Sequence, residues 1–400
     1  MAEPRLFGRL PDQYFATILA AARRARAEPG PPLVDLGRGN PDLPPPPHAL
    51  AAVHAALEET ATPAVHGYPP FRGHRFLHEA IADRYRADHG VDLDPEREVA
   101  VVPGTKTGIM LATMAGAGPG ETVLLPDPGY PDYHSAVALA DARVAPLALE
   151  ASAGWQPDLE AAPPGALLVL NYPSNPCAVC ERPGTFEAAV AFAHRHGAVL
   201  LHDFAYGFLT FDDRRGRSVL EVPGAREVAV ELWSPSKIYG MAGWRIGFVV
   251  GCAAIVARIN TLIDHLTAGV FTALQRGLEA ALRSDQADVA DRRDAYRARR
   301  DRLVARLHAA GADLQPPEGT FYAWWRPPAG VTAESLLREQ RLAVAPGGGF
   351  GSRGRAWVRL SLALPDADVE EGAERLVAAL ARRAEAHAAA GPRTARGPAA

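Results

Sequence analysis

The sequence predicts an α/β protein with a large domain, built on a mostly parallel sheet covered by helices, and a smaller α+β domain. Short apolar runs rich in valine and leucine recur along the chain, and the stretches between them are long enough for helical crossovers. After Ser284 this alternation gives way to charged helical sequence, which marks the smaller domain. The apolar runs lie at residues 99–102, 122–125, 166–170, 198–201, 228–232 and 246–250.

Residues 1–47 are expected to form an N-terminal arm. A short helical stretch from Tyr14 to Arg26 is followed by the proline-rich segment PDLPPPPH. Such a segment is too polar and too broken to bury a core of its own, so it should lie against another part of the protein.

The large domain is expected to span residues 48–284 and the small domain residues 285–385. In the small domain, a charged helix over 285–310 leads to Phe321–Trp325, a further helix and the strand-like segment Ala356–Leu362. The alanine-, glycine- and proline-rich residues 386–400 are expected to be a disordered tail.

Composition excludes several classes of protein. The 400 residues are 48% hydrophobic and 22% charged, with a formal net charge of −4 and interleaved acids and bases, which argues against a nucleic-acid partner. The sequence has neither an apolar run of roughly 18 residues, as a membrane span requires, nor the apolar core of a signal peptide at its start. Three cysteines do not suit a secreted disulfide scaffold, so the expected compartment is the cytoplasm, with no membrane partner.

Polar side chains collect where the predicted strands end. The carboxyl ends of parallel strands meet at one edge of a sheet, where ligands of open α/β sheets bind. A candidate site is formed where an amide, a carboxylate, a phenol and an isolated lysine lie together at one edge of the sheet. The residues concerned are Asn171 and Asn175, then Asp203 and Tyr206, then Ser234, Ser236, Lys237 and Arg245.

The chemistry of this set suits a pyridine cofactor. The cation of Arg245 would lower the pKa of Lys237 and favour the neutral amine that forms a Schiff base. Asp203 could pair with a protonated ring nitrogen, which would make the ring a better electron sink. Tyr206 and Asn175 could hydrogen-bond the ring's phenolate oxygen.

Two further segments could complete such a site. Tyr133, in the segment DPGYPDY, could stack on the face of the ring. Backbone amides after Gly104, where GTKTG opens an apolar helix, could hold a phosphate at the helix N-terminus.

With these motifs, the sequence resembles the class I and II aminotransferases of pyridoxal-phosphate (PLP) fold type I. The resemblance extends over about residues 10–380. Within that family it is most similar to a bacterial branch that acts in methionine salvage and diaminopimelate synthesis. The motifs that carry the resemblance are GNPD at 39–42, GYPPFRG at 67–73, DPGYPDY at 127–133, NYPSNP at 171–176, HDFAYG at 202–207, SPSKIYGMAGWRIG at 234–247, EGTFYAW at 318–324 and VRLSL at 358–362.

The resemblance implies a fold and a reaction. The sheet of the large domain would have seven strands, and the protein would be a homodimer with shared active sites, its arm packed on the small domain and the partner subunit. It would transfer the α-amino group of an L-amino acid to a 2-oxo acid, with Lys237 carrying pyridoxal 5'-phosphate as a Schiff base and moving the proton.

The resemblance also implies a role for each site residue. Asp203 would bind the pyridine nitrogen, Asn175 and Tyr206 the ring hydroxyl, and Tyr133 the ring face. The phosphate would be bound by Gly104, Thr105, Lys106, Ser234, Ser236 and Arg245, with Tyr68 reaching it from the other subunit. Arg359 would clamp the substrate α-carboxylate, with Gly39, Asn175 and Tyr14 also near the substrate. The pocket for the substrate side chain is expected to be built from the arm, Tyr14 and Phe15 among its residues, with residues near Tyr68 and the partner subunit.

Two departures from the family pattern leave the reaction outcome open. Cys177 and Ala178 stand where the family usually has threonine and glycine, and Pro235 stands where it usually has leucine. The alternative outcome is elimination, replacement or cyclisation on an amino acid or S-adenosylmethionine, with the same cofactor. A regulatory protein that uses this domain without catalysis is disfavoured, because no room for a DNA-binding module is expected before residue 10 or after 386.

Three motifs are expected to carry no chemistry. The G-x-G-x-x-G pattern at 349–354 precedes a strand, whereas a dinucleotide-binding loop follows a strand and opens a helix, so we interpret it as a flexible connector. Cys177 and Cys180 have no second pair for zinc, so no metal is expected. His194 and His196 are expected to be exposed at a helix end.

Overall fold

The computed structural model of the chain describes residues 6–60 and 64–389. The sequence expectations for residues 1–5 of the arm and 390–400 of the tail therefore lie outside the described residues. The described strands are β1 (Val34–Asp35), β2 (Val99–Val102), β3 (Thr122–Asp127), β4 (Arg143–Ala148), β5 (Leu167–Leu170), β6 (Val199–Asp203), β7 (Ala229–Trp233), β8 (Gly247–Gly251), β9 (Tyr322–Trp325), β10 (Leu342–Ala343), β11 (Ala345–Pro346) and β12 (Val358–Ser361).

Helices separate most of these strands, as the predicted crossovers require. The described α-helices are α1 (Tyr14–Ala27), α2 (Pro47–Glu58), α3 (Arg75–His89), α4 (Thr105–Gly116), α5 (Asp132–Leu139), α6 (Thr185–His196), α7 (Ala225–Val228), α8 (Pro235–Ile238), α9 (Ala253–Leu266), α10 (Thr272–Arg283), α11 (Ala287–Ala309), α12 (Ala333–Gln340) and α13 (Asp366–Ala389).

The large domain is built on a seven-stranded sheet in the order β2-β8-β7-β6-β5-β3-β4. All neighbouring pairs are parallel except those of β8, which runs antiparallel to both β2 and β7. Most of its strands are buried along their whole length, as expected of a sheet that helices cover on both faces. The predicted mostly parallel sheet is confirmed.

Strand β4 has no counterpart among the apolar runs in the sequence. It is one of the two edge strands of the sheet, and of its residues only Leu147 is buried, whereas the other edge strand, β2, is buried along its whole length. Because β4 buries a single side chain, its sequence RVAPLA carries only a weak strand signal.

The arm packs on the small domain. Strand β1 pairs in parallel with β10, with Val34 opposite Leu342, and Arg341 donates to the backbone oxygens of Pro31 and Ala25. The small domain contains a second, antiparallel sheet in the order β11-β12-β9, packed with the long helices α11 and α13.

Helix α13 corrects the predicted start of the disordered tail. The helix continues to Ala389, so residues 386–389 are helical rather than disordered. Alanine has the highest helix propensity of the residues, and the sequence here is alanine-rich. Within the described part of the chain, no helix combines the length and the apolar character needed to cross a lipid bilayer.

Candidate active site

A cavity of about 320 Å³ opens at the carboxyl ends of β5, β6 and β7, between the two domains. The strand register explains why polar groups meet there, because Leu170 lies opposite His202 and Asp203 lies opposite Leu232. The cavity is lined by Phe15, Ile18, Leu19, Gly37, Arg38, Gly39, Asn40, Thr105, Lys106, Ile109, Tyr130, Asn171, Asn175, Asp203, Ala205, Tyr206, Ser234, Ser236, Lys237, Ala242, Arg245, Tyr322 and Arg359.

Lys237 lies on α8, the short helix that follows β7. Ser234 caps this helix by accepting a hydrogen bond from the Ser236 amide, and Lys237 Nζ donates to the Gly39 backbone oxygen at 3.1 Å. Burial, and then the positive charges of Arg359 and Arg245, lower the pKa of Lys237 to about 8. A substantial fraction of this amine is therefore neutral and nucleophilic near physiological pH.

Asp203 ends β6 and is buried. Its Oδ2 accepts a hydrogen bond from the Tyr133 hydroxyl at 2.7 Å, and its Oδ1 accepts one from the Ala205 amide at 3.3 Å. Burial raises the pKa of Asp203, while the Tyr133 hydrogen bond and the charge of His202 act against that rise. A buried carboxylate of this kind suits a cationic partner such as a protonated pyridine nitrogen.

Asn175 and Tyr206 both line the cavity, as the sequence predicts. The turn that carries Asn175 is fixed because its amide donates to Asn171 Oδ1 at 2.8 Å. Tyr206 donates its hydroxyl hydrogen to the Tyr322 hydroxyl at 3.2 Å.

The residues predicted to bind phosphate surround the N-terminus of α4. Gly104 is the N-cap with φ 83°, a backbone conformation that favours glycine, and a Cβ there would clash with the Arg245 guanidinium. Thr105, Ser234 and Ser236 line the same part of the cavity. Free amides at a helix N-terminus, hydroxyls and a guanidinium together form an anion-binding site.

Lys106 has a partner that sequence reasoning missed. Its Nζ lies 3.1 Å from Asp132 Oδ2, which also accepts from the Tyr130 hydroxyl at 2.5 Å. Asp132 Oδ1 in turn accepts from Gln13 Nε2 at 2.6 Å. Lys106 therefore belongs to a polar cluster that holds the arm and Tyr130 at the site.

Arg359 is almost fully buried, with a relative exposure of 1%. Its Nη1 donates to Asn175 Oδ1 at 2.8 Å and its Nη2 to the Gly37 backbone oxygen at 3.2 Å, while its guanidinium carbon lies 3.9 Å from the centre of the Tyr322 ring. Its Nε has no hydrogen-bond partner, and its partners among the described residues are an amide oxygen and a backbone oxygen rather than a carboxylate. A buried cation without an anion is unstable, so this site favours binding of a carboxylate.

The structure separates two tyrosines that belong to one motif. The sequence predicts that Tyr133 stacks on the ring, but Tyr133 does not line the cavity and its hydroxyl binds Asp203. Tyr130, three residues earlier, lines the cavity wall, with its ring centre 5.9 Å from that of Phe15. A tyrosine stands at each end of the segment YPDY, so the sequence alone could not assign the stacking ring.

Tyr14 is likewise displaced from the predicted substrate pocket. Its hydroxyl donates to the Pro346 backbone oxygen and its ring packs against Phe350, because this side of α1 faces the small domain. The neighbouring face of the helix lines the cavity instead, through Phe15, Ile18 and Leu19. The spacing of these three apolar residues in the sequence is that of one face of a helix, and it could have indicated an apolar wall.

The other predicted residues divide into those inside and outside the cavity. Gly39 lines it, whereas Tyr68 is 87% exposed and lies on the surface of this chain. Cys177, Ala178 and Pro235, whose unusual identities left the reaction outcome open, are buried but do not line the cavity.

The motifs expected to carry no chemistry have structural explanations. The loop at 349–354 lies between β11 and β12. Ser352 Oγ and the Arg353 amide both donate hydrogen bonds to the carboxylate of Asp127. The loop is therefore anchored, whereas the sequence predicted a flexible connector. Burial raises the pKa of the Cys180 thiol to about 12, so it is not a reactive thiolate at neutral pH. The predicted exposure of His194 and His196 is confirmed.

Known proteins match both the sequence and the fold. The sequence model of the family described as aminotransferase class I and II matches residues 31–376. The L-glutamine–4-(methylsulfanyl)-2-oxobutanoate aminotransferase of Bacillus subtilis is 39% identical, over 92% of this chain and 94% of its own. The LL-diaminopimelate aminotransferase of Desulforudis audaxviator is 39% identical, over 95% of this chain and 98% of its own.

Solved structures agree with these relatives. The substrate-bound structure of BacF from Bacillus subtilis superposes with a TM-score of 0.89 at 35% identity, covering 95% of this chain and 98% of that one. The aspartate aminotransferase of Rhizobium meliloti superposes with a TM-score of 0.87 at 27% identity, covering 96% and 99%.

Proposed function

The chain belongs to the class I and II aminotransferase family and is an aminotransferase of PLP fold type I, and on that premise we propose how its own residues carry the reaction. Pyridoxal 5'-phosphate, when bound, supplies an aldehyde that takes up the amino group and a ring that draws electrons from the substrate α-carbon. Lys237 is the cofactor-binding lysine. Its Nζ, with a pKa of about 8, also removes and returns the α-proton.

The remaining polar residues are assigned by where they lie. Asp203 holds the proton of the pyridine nitrogen, and Tyr206 and Asn175 bind the ring oxygen. Thr105, Ser234, Ser236 and Arg245, with the backbone amides that begin α4, bind the phosphate. Tyr130, rather than Tyr133, is the aromatic side chain that stacks on the ring.

Arg359 carries the proposal for the substrate. A guanidinium that is 1% exposed, has no carboxylate partner among the described residues and lies on the same wall as Lys237 fits an α-carboxylate beside a reactive amine. The bidentate fork of arginine fixes the orientation of a carboxylate, and with it the α-carbon–hydrogen bond. Phe15, Ile18 and Leu19 exclude water from the side-chain end of the substrate.

The substrates we propose are amino acids whose side chains carry no positive charge. Phe15, Ile18 and Leu19 give the side-chain end of the cavity an apolar wall, and apart from Asp203 no described residue lining the cavity is an acid. A cationic side chain would therefore lack a counter-ion from this chain. The amide and thioether named in the Bacillus subtilis relative's substrates fit such a wall. L-Methionine and L-glutamine should have higher kcat/KM than L-lysine or LL-diaminopimelate, and the reverse order would contradict this assignment.

The working unit we propose is a homodimer with shared active sites. Tyr68 is 87% exposed, and the apolar side chains of Phe71 and of Phe271, whose ring centre lies 6.2 Å from that of His66, are also exposed. A second subunit would cover them and bring Tyr68 to the phosphate of the partner's site. Mixed dimers of Tyr68→Phe and Lys237→Ala chains test this. One of the two sites in a mixed dimer would combine both defects and the other would have neither, so activity should exceed that of either parent.

Nitrogen transfer tests the reaction itself. The holoenzyme is incubated with an α-15N amino acid and an unlabelled 2-oxo acid, and both products are analysed. The label should appear in the amino acid formed from the oxo acid, and the donor should become its own oxo acid. Retention of the label on the donor's carbon skeleton, or release of a leaving group, would instead indicate replacement, cyclisation or elimination.

A further inference from the structure

A buried ion pair lies at the end of β6 that carries Asp203. His202, the preceding residue on β6, places Nδ1 2.7 Å from Oε2 of Glu231, its register partner on β7. Both side chains have a relative exposure of 0%. None of the assigned catalytic or binding roles uses this pair, although burying two charges is costly unless they are well hydrogen-bonded.

Both nitrogens of the His202 ring lie within hydrogen-bond distance of an oxygen. Nε2 of His202 lies 2.9 Å from the backbone oxygen of Tyr172. The carbonyl oxygen can only accept a hydrogen bond, and so can an ionised Glu231. A neutral imidazole has one N–H and would leave a nitrogen lone pair facing an acceptor, whereas an imidazolium donates to both.

Glu231 has the environment of an ionised carboxylate. Besides His202 it accepts hydrogen bonds from the Tyr85 hydroxyl at 2.7 Å, Ser218 Oγ at 2.8 Å and the Val219 amide at 3.0 Å. Burial by itself would raise the pKa of Glu231, but the hydrogen bond and charge of His202 bring that pKa below its usual value. Four donors on one carboxylate stabilise the anion.

The other groups around the His202 ring are compatible with a cation. The rings of Phe186 and Phe204 lie 4.8 Å and 5.0 Å from it, centre to centre, and aromatic rings attract a cation. The remaining titratable neighbours are Asp203 on β6 itself, Tyr85 and His89 on α3, and Glu181 before α6.

The same contacts join the strand ends that carry the site. The hydrogen bond from His202 to Tyr172 ties β6 to the turn that carries Asn175. Within that turn Asn171 Nδ2 donates to the Asp203 backbone oxygen at 2.8 Å, and Asn171 Oδ1 accepts from the Asn175 amide at 2.8 Å. A change at His202 would therefore reach Asp203 and Asn175, two of the side chains assigned to the cofactor ring.

We propose that His202, held as an imidazolium by Glu231, is a positioning residue that keeps Asp203 ionised and Asn175 in place. The proposal rests on the proposed function, because it gives Asp203 its role at the ring nitrogen. Asp203 is buried, and a fixed positive charge one residue away favours its ionised form. With a neutral residue at position 202, the carboxylate would bind the ring nitrogen proton less strongly.

The charge of His202 can be measured without any assay of activity. In the holoenzyme labelled with 15N-histidine, the ring nitrogens of His202 are identified by the loss of their signals in His202→Gln. If that variant does not fold, they are identified by their shift in Tyr85→Phe, which alters a group bonded to Glu231. Both nitrogens should carry a proton, because each faces an acceptor oxygen. One unprotonated nitrogen would overturn the proposal, whether or not the enzyme transfers nitrogen.

The effect on the site is read from cofactor labelled with 15N in its ring. In His202→Gln and Glu231→Gln, the resonance of the cofactor's ring nitrogen should move toward the value of an unprotonated pyridine. In both variants kcat should fall by roughly tenfold, as for other residues that orient a reactive group through a hydrogen bond. Tyr85→Phe is the matched control, because it removes one hydrogen bond from Glu231 and changes no charge. It should retain the wild-type resonance and kcat within about threefold.

Three results would contradict this role for His202. Equal losses in all three variants would indicate a purely structural network, and an unchanged ring-nitrogen resonance in His202→Gln would remove the link to Asp203. An unprotonated ring nitrogen in the wild type would overturn the role of Asp203, and this proposal with it. The aminotransferase activity would still be measured separately, by nitrogen transfer.

Discussion

Arg359 and Asn175 are 184 positions apart in the sequence, yet Arg359 Nη1 donates a hydrogen bond to Asn175 Oδ1 at 2.8 Å. Arg359 belongs to β12 of the small domain, and Asn175 to the turn after β5 of the large domain. The bond therefore joins the group assigned to the substrate carboxylate to one assigned to the cofactor ring. Since Arg359 Nη2 also donates to the backbone oxygen of Gly37, one side chain connects three segments of the site.

Replacing Arg359 with lysine should raise the KM for the amino acid by roughly tenfold or more. Lysine keeps the charge but cannot form two parallel hydrogen bonds to a carboxylate. Steady-state kinetics at saturating oxo acid measure the change. Arg300→Lys is the control, because Arg300 is also buried but pairs with Asp212, away from the cavity lining, and should leave KM unchanged. An Arg359→Lys enzyme with wild-type KM would contradict the assignment.

Cofactor capture by the apoprotein should speed up as pH rises through about 8. The neutral form of Lys237 is the nucleophile, and its pKa is lowered from 10.5 to about 8 by burial and by the charges of Arg359 and Arg245. Lowering the pKa of an amine disfavours its charged form, so the neutral form predominates above about pH 8. The rate of absorbance change on adding pyridoxal phosphate between about pH 6.5 and 9.5 gives this profile.

The same profile in Arg359→Gln provides the comparison. Removing a neighbouring positive charge should shift the apparent pKa upward, because the charged amine is then less disfavoured. A wild-type profile that is flat across this range, or that rises only near 10.5, would show that the amine is not perturbed as the geometry requires.

Gln13→Ala should weaken substrate binding through the arm. Gln13 Oε1 accepts from the Phe15 amide at 2.9 Å and so caps α1, while its Nε2 donates to Asp132. Losing a helix cap costs about 1 kcal/mol, which corresponds to roughly a fivefold rise in KM if α1 must be ordered over the substrate. Hydrogen exchange of α1 amides should increase in parallel.

Gln13→Glu separates the two functions of this residue. Glutamate can still accept from the Phe15 amide, but it places a second negative charge beside Asp132. It should therefore also raise KM, although the cap is kept. A wild-type KM in both variants would indicate that the arm does not contribute to substrate binding.

Gly39→Ala should lower activity strongly while leaving the fold intact. A Cβ at position 39 would clash with the Tyr322 hydroxyl, which accepts a hydrogen bond from Tyr206. Displacing Tyr322 would also disturb the Arg359 guanidinium stacked on its ring. Circular dichroism checks the fold and steady-state kinetics the activity. Gly8→Ala, which meets no atom within 4 Å, should behave as wild type, and equal activity of the two variants would contradict this interpretation.

Much of the fold and the site is predictable because the relevant signals are local. The buried strands of the large sheet are short apolar runs, and the polar residues that follow those runs share one sheet edge. Asn175, Asp203, Tyr206 and Lys237 can therefore be grouped from the sequence alone, and all four line the cavity. Strand β4 escapes such a prediction because it exposes most of its side chains.

Only the tertiary structure showed which of two neighbouring residues faces the site, because local sequence patterns fit both. The sequence determined that the chain is an α/β aminotransferase of this family and which segments meet at the cavity. It could not decide between Tyr130 and Tyr133, and it placed Tyr14 in the pocket together with Phe15, because neighbouring residues of one motif or helix differ only in the direction of their side chains. It also gave no sign that His202 and Glu231 pair at the end of β6 that carries Asp203, since contacts between strands depend on register, which packing of the whole sheet fixes.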